Sequence, residues 1–345
     1  MQEYSPGIEI NDVGFGQTAD RRAYSTEIEY NDQTPSGLLR GFRNYGTYLF
    51  TSHAYNFDGL SVLQQIGGGM YGQRAKSLWT PDISGGYQAS VYSDRLLRGG
   101  PVARVPASWY GNAGIGTDPR KRYVLRFSLS ARGDEVGTYD RSVFTSVDVR
   151  PRSFLRVVLS PSLSRGRVEN QYVTRATDPL ATATFGSRYI FAAVDQTTFS
   201  VSTRLNWTFT PRMTLEMVAQ PFVASGAYSN FKEFLTPRRL EFARYGVDGA
   251  STLVRDSTRV TLDPDGTGAA RPIALAAPDF TVRSLRGSAV MRWEYRPGST
   301  LFFVWQQQRN GSSSAGTLGA GDFSRAFREP AQNVLLVKAS YWLSR

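Results

Sequence analysis

The chain has 345 residues, no cysteine, a single histidine and a formal net charge of +11. The missing cysteines exclude disulfides, thiolate metal sites and cysteine catalysis, and one histidine cannot supply a multi-histidine metal site or relay. No apolar run approaches the roughly 18 residues of a membrane-spanning helix, which excludes a helical membrane protein but not a membrane barrel of alternating strands.

The positive charge comes almost entirely from arginine, because only four of the 40 basic residues are lysine. A basic chain suits nucleic acid, anionic lipid headgroups or acidic ligands. The sequence has no basic tail, lysine-rich run or recognition motif, and its arginines are spread through strand-like segments. We therefore expect no nucleic-acid partner.

Alternation of apolar and polar residues dominates the chain and predicts strands with one apolar and one polar face. The alternating segments are 123–131, 143–149, 155–163, 197–209, 215–223, 285–295, 301–305 and 335–343. Prolines 151, 211 and 297 fall in the turns predicted between them. The segment Leu96–Arg120 breaks the alternation and is predicted to be a loop folded against or into a lumen.

The connections between these strands differ in length. Short turns are predicted near Asp58 and at the three prolines, and long polar connections fill 164–187, 225–281 and 310–332. From Arg141 onward the two kinds alternate, as in outer-membrane barrels with short periplasmic turns and long extracellular loops. The sequence thus predicts an all-β, antiparallel transmembrane β-barrel, or the C-terminal part of one, with about 12–14 strands and its C-terminus on the short-turn side.

A soluble β-sandwich also alternates, so the choice depends on other features. The strands are near the 9–11 residues that cross a bilayer when tilted. Aromatic residues at strand ends suit the membrane interface; these are Trp207, Phe209, Trp293, Tyr295 and Tyr341. The polar face carries Arg, Ser, Thr, Asn and Gln, which a lumen tolerates.

The candidate lumen-lining residues are charged residues of the polar face. They are Arg122, Arg126, Asp148, Arg204, Glu216, Arg286, Arg292 and Glu294. Clustered arginines in a pore favour anions, whereas Arg/Asp/Glu ladders across a lumen would make the barrel rigid. Both roles remain open, with the three acidic residues expected to balance the arginines.

Four other features carry weaker chemical signals. Glu27 and Glu29 share a strand face and could serve as paired glycosidase carboxylates, but lumen carboxylates that offset arginines are the simpler interpretation. Asp263–Gly266 predicts a turn, with weak calcium binding as the alternative. Gly67–Gly69 lacks the context of a phosphate loop. His53 is expected to pack or hydrogen-bond within a strand.

Several short segments of the sequence are similar to segments of a known protein family. They are 5–15, 97–101, 118–121, 185–191, 209–211, 219–222, 292–301, 304–307 and 337–342. Together they resemble the C-terminal barrel region of a domain-of-unknown-function family of bacterial outer-membrane proteins. Its members typically carry an N-terminal domain similar to carbohydrate-binding module family nine. The resemblance implies no catalytic residue.

The start of the chain lacks the charged and apolar regions of a signal peptide, and the family's carbohydrate-binding domain and first barrel strands are not seen. We therefore expect the C-terminal part of a longer protein, or a short relative, with residues 1–345 as one barrel domain in the bacterial outer membrane.

Two functions follow as hypotheses. The first is an outer-membrane pore, transport protein or scaffold with an arginine-rich lumen. The second is a carbohydrate-binding surface protein, or a membrane-associated glycan hydrolase acting through a missing N-terminal domain. Expected partners are outer-membrane lipid, a saccharide or anionic solute, and other envelope proteins. We expect no cofactor and no metal. The sequence favours a protein without enzymatic activity over an enzyme.

Overall fold

The computed structural model describes residues 1–8 and 19–343, and the regular secondary structure of these residues is almost entirely β-strand. The strands are β1 (Gln2–Tyr4), β2 (Arg21–Asp32), β3 (Phe42–Tyr55), β4 (Ser61–Arg74), β5 (Thr80–Gln88), β6 (Val91–Ser93), β7 (Ala103–Val105), β8 (Ser108–Gly116), β9 (Tyr123–Asp134), β10 (Tyr139–Arg152), β11 (Leu155–Thr177), β12 (Ser187–Thr210), β13 (Met213–Thr236), β14 (Glu241–Arg244), β15 (Thr252–Arg255), β16 (Arg259–Asp263), β17 (Ile273–Ala276), β18 (Phe280–Arg296), β19 (Ser299–Ser313) and β20 (Ala331–Ser340). One short helix, α1, spans Asp322–Ala326, and three 3-10 turns span 37–39, 182–184 and 237–239. In this part of the chain no helix is long and apolar enough to cross a membrane.

Fourteen strands form one continuous antiparallel path in the order β1-β2-β3-β4-β5-β8-β9-β10-β11-β12-β13-β18-β19-β20. The predicted all-β antiparallel class is therefore confirmed, and the strand number lies within the predicted range. Among the described residues, β1 pairs only with β2 and β20 only with β19. These two edges are not joined to each other, so the described sheet does not close into the predicted barrel.

The two ends of the sheet carry different connections. The turns 153–154, 211–212 and 297–298 lie at one end, which we call the turn end, and β20 also finishes there. The opposite end, the loop end, carries the connections 89–107, 178–186, 237–279 and 314–330. The predicted alternation and the side of the last strand agree with this arrangement. The short turns 56–60 and 135–138 also lie at the loop end.

Strands β11, β12 and β13 are 23, 24 and 24 residues long and extend beyond their neighbours at the loop end. Bulges between Val168 and Gln171 and between Phe191 and Ala193 interrupt the simple alternation there. The prediction of long loops over 164–187 and 225–281 is therefore wrong for residues 164–177 and 225–236, which are strand. We call these extensions, with the connections that pack on them, the head.

The head holds the buried apolar core of the protein. Ile190 and Ala192 of β12 pack with Phe231 and the small β15–β17 sheet. The alternate residues Tyr189 and Phe191 pack with the β6–β7 hairpin. Because successive strand residues point to opposite faces, the two connections cover the two sides of β12.

The β6–β7 hairpin also joins distant parts of the sheet. Asp94 accepts two hydrogen bonds from the guanidinium of Arg21 at the start of β2, at 2.9 and 3.0 Å. Three residues later, Leu97 is buried against β12 in the head. Three residues reach about 11 Å at most, whereas eight strand spacings cover about 38 Å in a flat sheet. The sheet must therefore bend to bring β2 and β12 together.

This hairpin revises the prediction for Leu96–Arg120. Its first part does fold against other elements, but Ser108–Gly116 is the full strand β8 of the main sheet. Glycines at 111, 114 and 116 hide its alternation in the sequence. Of the stretches that carry the family resemblance, residues 9–15 lie outside the described part of the chain.

Candidate functional site

The main sheet separates its side chains into two faces over most of its width. Cross-strand partners share a face in an antiparallel sheet, so the pairing register assigns each residue. One face, the apolar face, carries Leu125, Val147, Leu205 and Met291. The opposite, polar face carries mostly Ser, Thr, Asn, Gln and charged residues in β9–β13 and β18, and in the last part of β19 it carries Gln306, Gln308 and Asn310.

A row of hydrogen-bonding side chains crosses the polar face over eight strands. In register order it contains Arg126, Ser146, Ser160, Ser202, Gln220, Arg286, Gln308 and Gln332. Serine and glutamine both donate and accept hydrogen bonds. The row thus offers a continuous track for a polar solute, with a guanidinium near each end.

The track widens into two shallow recesses around Arg286. One has a volume of about 310 Å³ and is lined by Gln220, Gln306, Gln308 and Gln332 together with Arg286. The second, of about 400 Å³, lies on the side of Ser200 and Ser202 and shares Gln220 and Arg286 with the first. Four amides and one guanidinium can hydrogen-bond hydroxyl and carboxylate groups.

Four arginines of the polar face, Arg122, Arg132, Arg204 and Arg286, form no ion pair in residues 1–8 and 19–343. Of these, Arg286 lines both recesses, and Arg204 lies two residues from Ser202 of the second recess on the same face. Arg204 and Arg286 are exposed, and neither forms an ion pair or a side-chain hydrogen bond with a described residue. An exposed guanidinium retains its donors for an anion or a carboxylate. These two residues are therefore the centre of the candidate site.

Other charges on this face form local ion pairs. Asp148 holds two guanidinia at once, with Arg150 at 2.6 Å and Arg156 at 2.9 Å. Arg126 pairs with Asp82 at 3.3 Å across β8. Gly114 lies between them, where a Cβ would stand 2.7 Å from the Asp82 carboxylate.

All eight predicted lumen residues fall on the polar face, but their predicted charge balance is only partly observed. Glu294 pairs with Arg292 at 3.6 Å. Asp148 pairs with Arg150 and Arg156, which the prediction did not include, and Glu216 forms no ion pair within the described residues. Arg122, directly before β9, continues the face and is exposed. Sequence reasoning missed Asp82, because its ion-pair partner Arg126 is 44 residues away along the chain and two strands away in the sheet.

In β2–β5 the polar face carries aromatic side chains that pack over glycines of the neighbouring strand, in place of a row of polar side chains. Tyr48 and Phe50 lie over the glycine run of β4, where a Cβ on Gly67 would stand 2.7 Å from the Phe50 ring. The glycines thus leave room for rings, which explains the run Gly67–Gly69 without a phosphate loop.

Glu27 and Glu29 lie on this aromatic part of the polar face. Tyr71 donates a hydrogen bond to Glu29 at 2.5 Å, and neither glutamate forms an ion pair with a described arginine. The expectation that they are lumen carboxylates that offset arginines therefore stays a prediction, without a direct ion pair to support it among the described residues. His53 lies on the apolar face, where its Nδ1 donates to the side-chain oxygen of Gln64, as expected for a histidine bonded within the sheet.

Two further motifs have structural roles. Asp263 accepts hydrogen bonds from the backbone amides of Asp265 and Gly266, so the predicted turn is confirmed. Gly266 takes a φ of +67°, which favours glycine. No group of three or more His, Cys, Asp or Glu residues within the described ranges could hold a metal ion.

The head contains a buried ionic cluster. Arg188 donates to Asp178 at 2.6 Å and to Glu233 at 2.5 Å. The guanidinium lowers the pKa of the Asp178 carboxyl, while burial raises the pKa of Glu233. Lys232 contacts Glu169 at 2.9 Å beside them. This cluster joins β11, β12 and β13 and is a packing element, since every charge in it has a partner.

The fold and the site define an all-β protein whose bent antiparallel sheet carries one apolar and one polar, arginine-bearing face. Residues 2–246 match the family described as "Domain of unknown function (DUF5916)". The match covers more than half of the chain, so the chain belongs to this family, and the predicted assignment to a domain-of-unknown-function family is confirmed. The link to an N-terminal carbohydrate-binding domain stays a prediction. No curated protein and no solved structure matches the chain.

Proposed function

We propose that this chain forms most of the wall of an outer-membrane β-barrel, with its apolar face toward lipid and its polar face lining an arginine-bearing lumen. The observation that carries the proposal is the separation of the two faces in β9–β13 and β18. Backbone groups cannot be satisfied by lipid, so a spanning sheet must also curve and close. The contacts of the β6–β7 hairpin with β2 and β12 support such curvature.

The dimensions of the apolar face support the same proposal. On β12 the apolar row runs from Phe199 to Phe209, which is about 34 Å along the strand at 3.4 Å per residue. At the usual tilt of about 40° this gives an apolar band about 26 Å tall, close to that of known barrels. The edge of this apolar band nearest the turn end carries Trp207, Phe209 and Trp293. Interfacial aromatic residues are expected at such an edge.

The two edge strands place a requirement on the proposal. β1 and β20 each expose one row of backbone groups in the described sheet, and these groups need partners inside a bilayer. A complete barrel therefore needs these edges to pair, directly or through further strands.

Within such a barrel, the lumen chemistry favours anionic or polyhydroxylated solutes. Arg204 and Arg286 supply positive charge without an ion-pair partner among the described residues, and low-dielectric walls strengthen their field. The amides around Arg286 can bind saccharide hydroxyls as well. Asp148 and Asp82 are each paired with arginines and instead make the barrel wall more rigid. The same face could therefore serve a pore or a scaffold.

Planar-bilayer conductance tests this proposal. The purified chain should require detergent, insert into lipid vesicles and conduct with a preference for anions. The double variant Arg204→Gln/Arg286→Gln should lose most of that preference, while Arg239→Gln, an exposed arginine of the head, should keep it. A chain that stays monodisperse without detergent and does not insert would refute the membrane assignment. Insertion without conductance would leave the scaffold role.

The alternative, a carbohydrate-binding surface protein, makes a different prediction. Glycan binding by the long connections would be lost on deletion of 237–279 and kept in the lumen variant. A hydrolase would additionally release reducing ends from the bound glycan.

A further inference from the structure

The apolar face carries a pair of arginines that the lumen proposal does not use. Arg141 of β10 and Arg165 of β11 are direct cross-strand partners, and both are exposed. Neither forms an ion pair within residues 1–8 and 19–343, although Arg141 lies over the Tyr139 ring at 5.6 Å. The acidic residue of the next row, Asp195, is already paired with Arg167 at 2.6 Å. Like charges directly opposite each other are destabilising, so this pair needs an anion.

Position in the sheet restricts what that anion can be. On β10 the apolar row from Val149 to Val143 ends at Arg141, and on β11 the row from Leu155 to Leu163 ends at Arg165. The two guanidinia thus lie where the apolar band gives way to polar residues, on the loop-end side. In a membrane this is the depth of the lipid headgroups.

A recess of about 530 Å³ begins beside Arg141 on the same face, and Arg165 is one strand further from it. Its apolar lining includes Ile83, Gly111, Ala113, Leu129 and Val143, and Arg141 lies at its rim. The row that leads to the arginine pair is Gly85, Gly111 and Ala131, which has almost no side chain to fill the space. An apolar groove whose floor is made of small residues and which ends at two cations matches an acyl chain attached to a phosphate.

We propose that Arg141 and Arg165 bind the phosphate of a membrane lipid whose acyl chain occupies the recess over Gly111. This inference rests on the proposed membrane function, because the recess faces lipid only if the apolar face does. The bound group is a phosphorylated headgroup covalently joined to hydrocarbon, and the recess distinguishes it from free phosphate.

Spin-labelled lipids in reconstituted vesicles test this site. The protein is inserted into phosphatidylcholine vesicles that contain a trace of spin-labelled phosphatidylglycerol, and the motionally restricted fraction gives the relative affinity. Arg141→Gln/Arg165→Gln should lower the preference for phosphatidylglycerol by about fivefold for each arginine removed. Arg132→Gln, an exposed arginine of the polar face at a similar level, should leave it unchanged.

A second variant tests the acyl-chain recess without altering charge. A Cβ added at Gly111 would meet only the Ser84 carbonyl oxygen at 4.0 Å, so Gly111→Leu can fill the recess while the strand is retained. It should reduce restricted phosphatidylglycerol while both arginines remain. Inorganic phosphate at millimolar concentration should compete weakly, because it lacks the chain.

Each outcome decides a separate claim. If the wild type inserts but restricts phosphatidylglycerol no more than phosphatidylcholine, or if the double variant equals wild type, the lipid site is wrong and the barrel proposal stands. If phosphate abolishes binding and Gly111→Leu has no effect, the arginines bind a free anion and the lipid assignment is wrong. If the chain does not insert, the membrane proposal fails and this site fails with it.

Discussion

Asp148 provides the sharpest test of how charges stabilise the polar face. Its carboxylate is 11% exposed and bonds to two guanidinia, those of Arg150 and Arg156. A shielded bond to a charged group contributes about 1.5–3 kcal/mol. The two arginines are 41% and 48% exposed, which reduces each contribution to about 1 kcal/mol. Asp148→Asn should therefore lower the free energy of unfolding by about 2 kcal/mol.

Urea titration of the detergent-solubilised protein measures this difference, with Asp82→Asn as the matched control. Asp82 has one arginine partner, at 3.3 Å, and both side chains are substantially exposed, so its loss should cost about 0.5 kcal/mol. Equal effects of the two variants would refute the argument, because they would show that the double pairing of Asp148 adds nothing.

Three further predictions concern packing and pH. Phe191→Ala, at a fully buried ring of the head, should cost about 3–5 kcal/mol, seen as faster hydrogen exchange in the head but not in the apolar band. Gly46→Ala places a Cβ 2.5 Å from the Tyr71 ring and should lower the unfolding free energy by about 1–3 kcal/mol, whereas Gly287→Ala, with its nearest atom at 3.5 Å, should be nearly neutral in the same titration. The hydrogen bond and charge of the Arg21 guanidinium lower the pKa of the Asp94 carboxyl. The Arg21–Asp94 ion pair therefore stabilises the hairpin fully above the carboxyl's usual pKa of 3.8. This stabilisation is lost as the pH falls through the lowered pKa. Hairpin amides should have lower protection factors, corrected for the slower intrinsic exchange in acid, at that low pH in wild type, and Asp94→Asn should abolish this pH response.

The sequence could predict those parts of the fold that depend on local alternation. The run 197–209 and its turn at Pro211 gave the strands, the hairpin and the two faces, because a two-residue period directly fixes which side chains share a face. The same period is the reason that all eight predicted lumen residues share one face, and the assignment of that face to a lumen stays a prediction. It gave no information on partners across the sheet, such as Asp82 for Arg126, since the register of distant strands is set by the whole sheet.

The parts that the sequence missed lack a regular period. In β8 the glycines at 111, 114 and 116 replace side chains that would show alternation. In the head, both faces of β12 are buried from Tyr189 to Val194, so apolar residues run continuously there and the strand does not look amphipathic. Bulges also shift the register. These features arise from tertiary packing, which a single sequence pattern does not show.

The assignment of the two faces to lipid and lumen is the central claim, and cysteine scanning tests it most directly. The chain has no cysteine of its own, so each single cysteine between 199 and 208 on β12 can carry one environment-sensitive fluorophore in lipid vesicles. The account predicts alternation, with odd-numbered positions quenched by a lipid-borne quencher and even-numbered positions quenched by a water-soluble one. Quenching of both sets by the water-soluble reagent alone, with no response to the lipid-borne quencher, would contradict it.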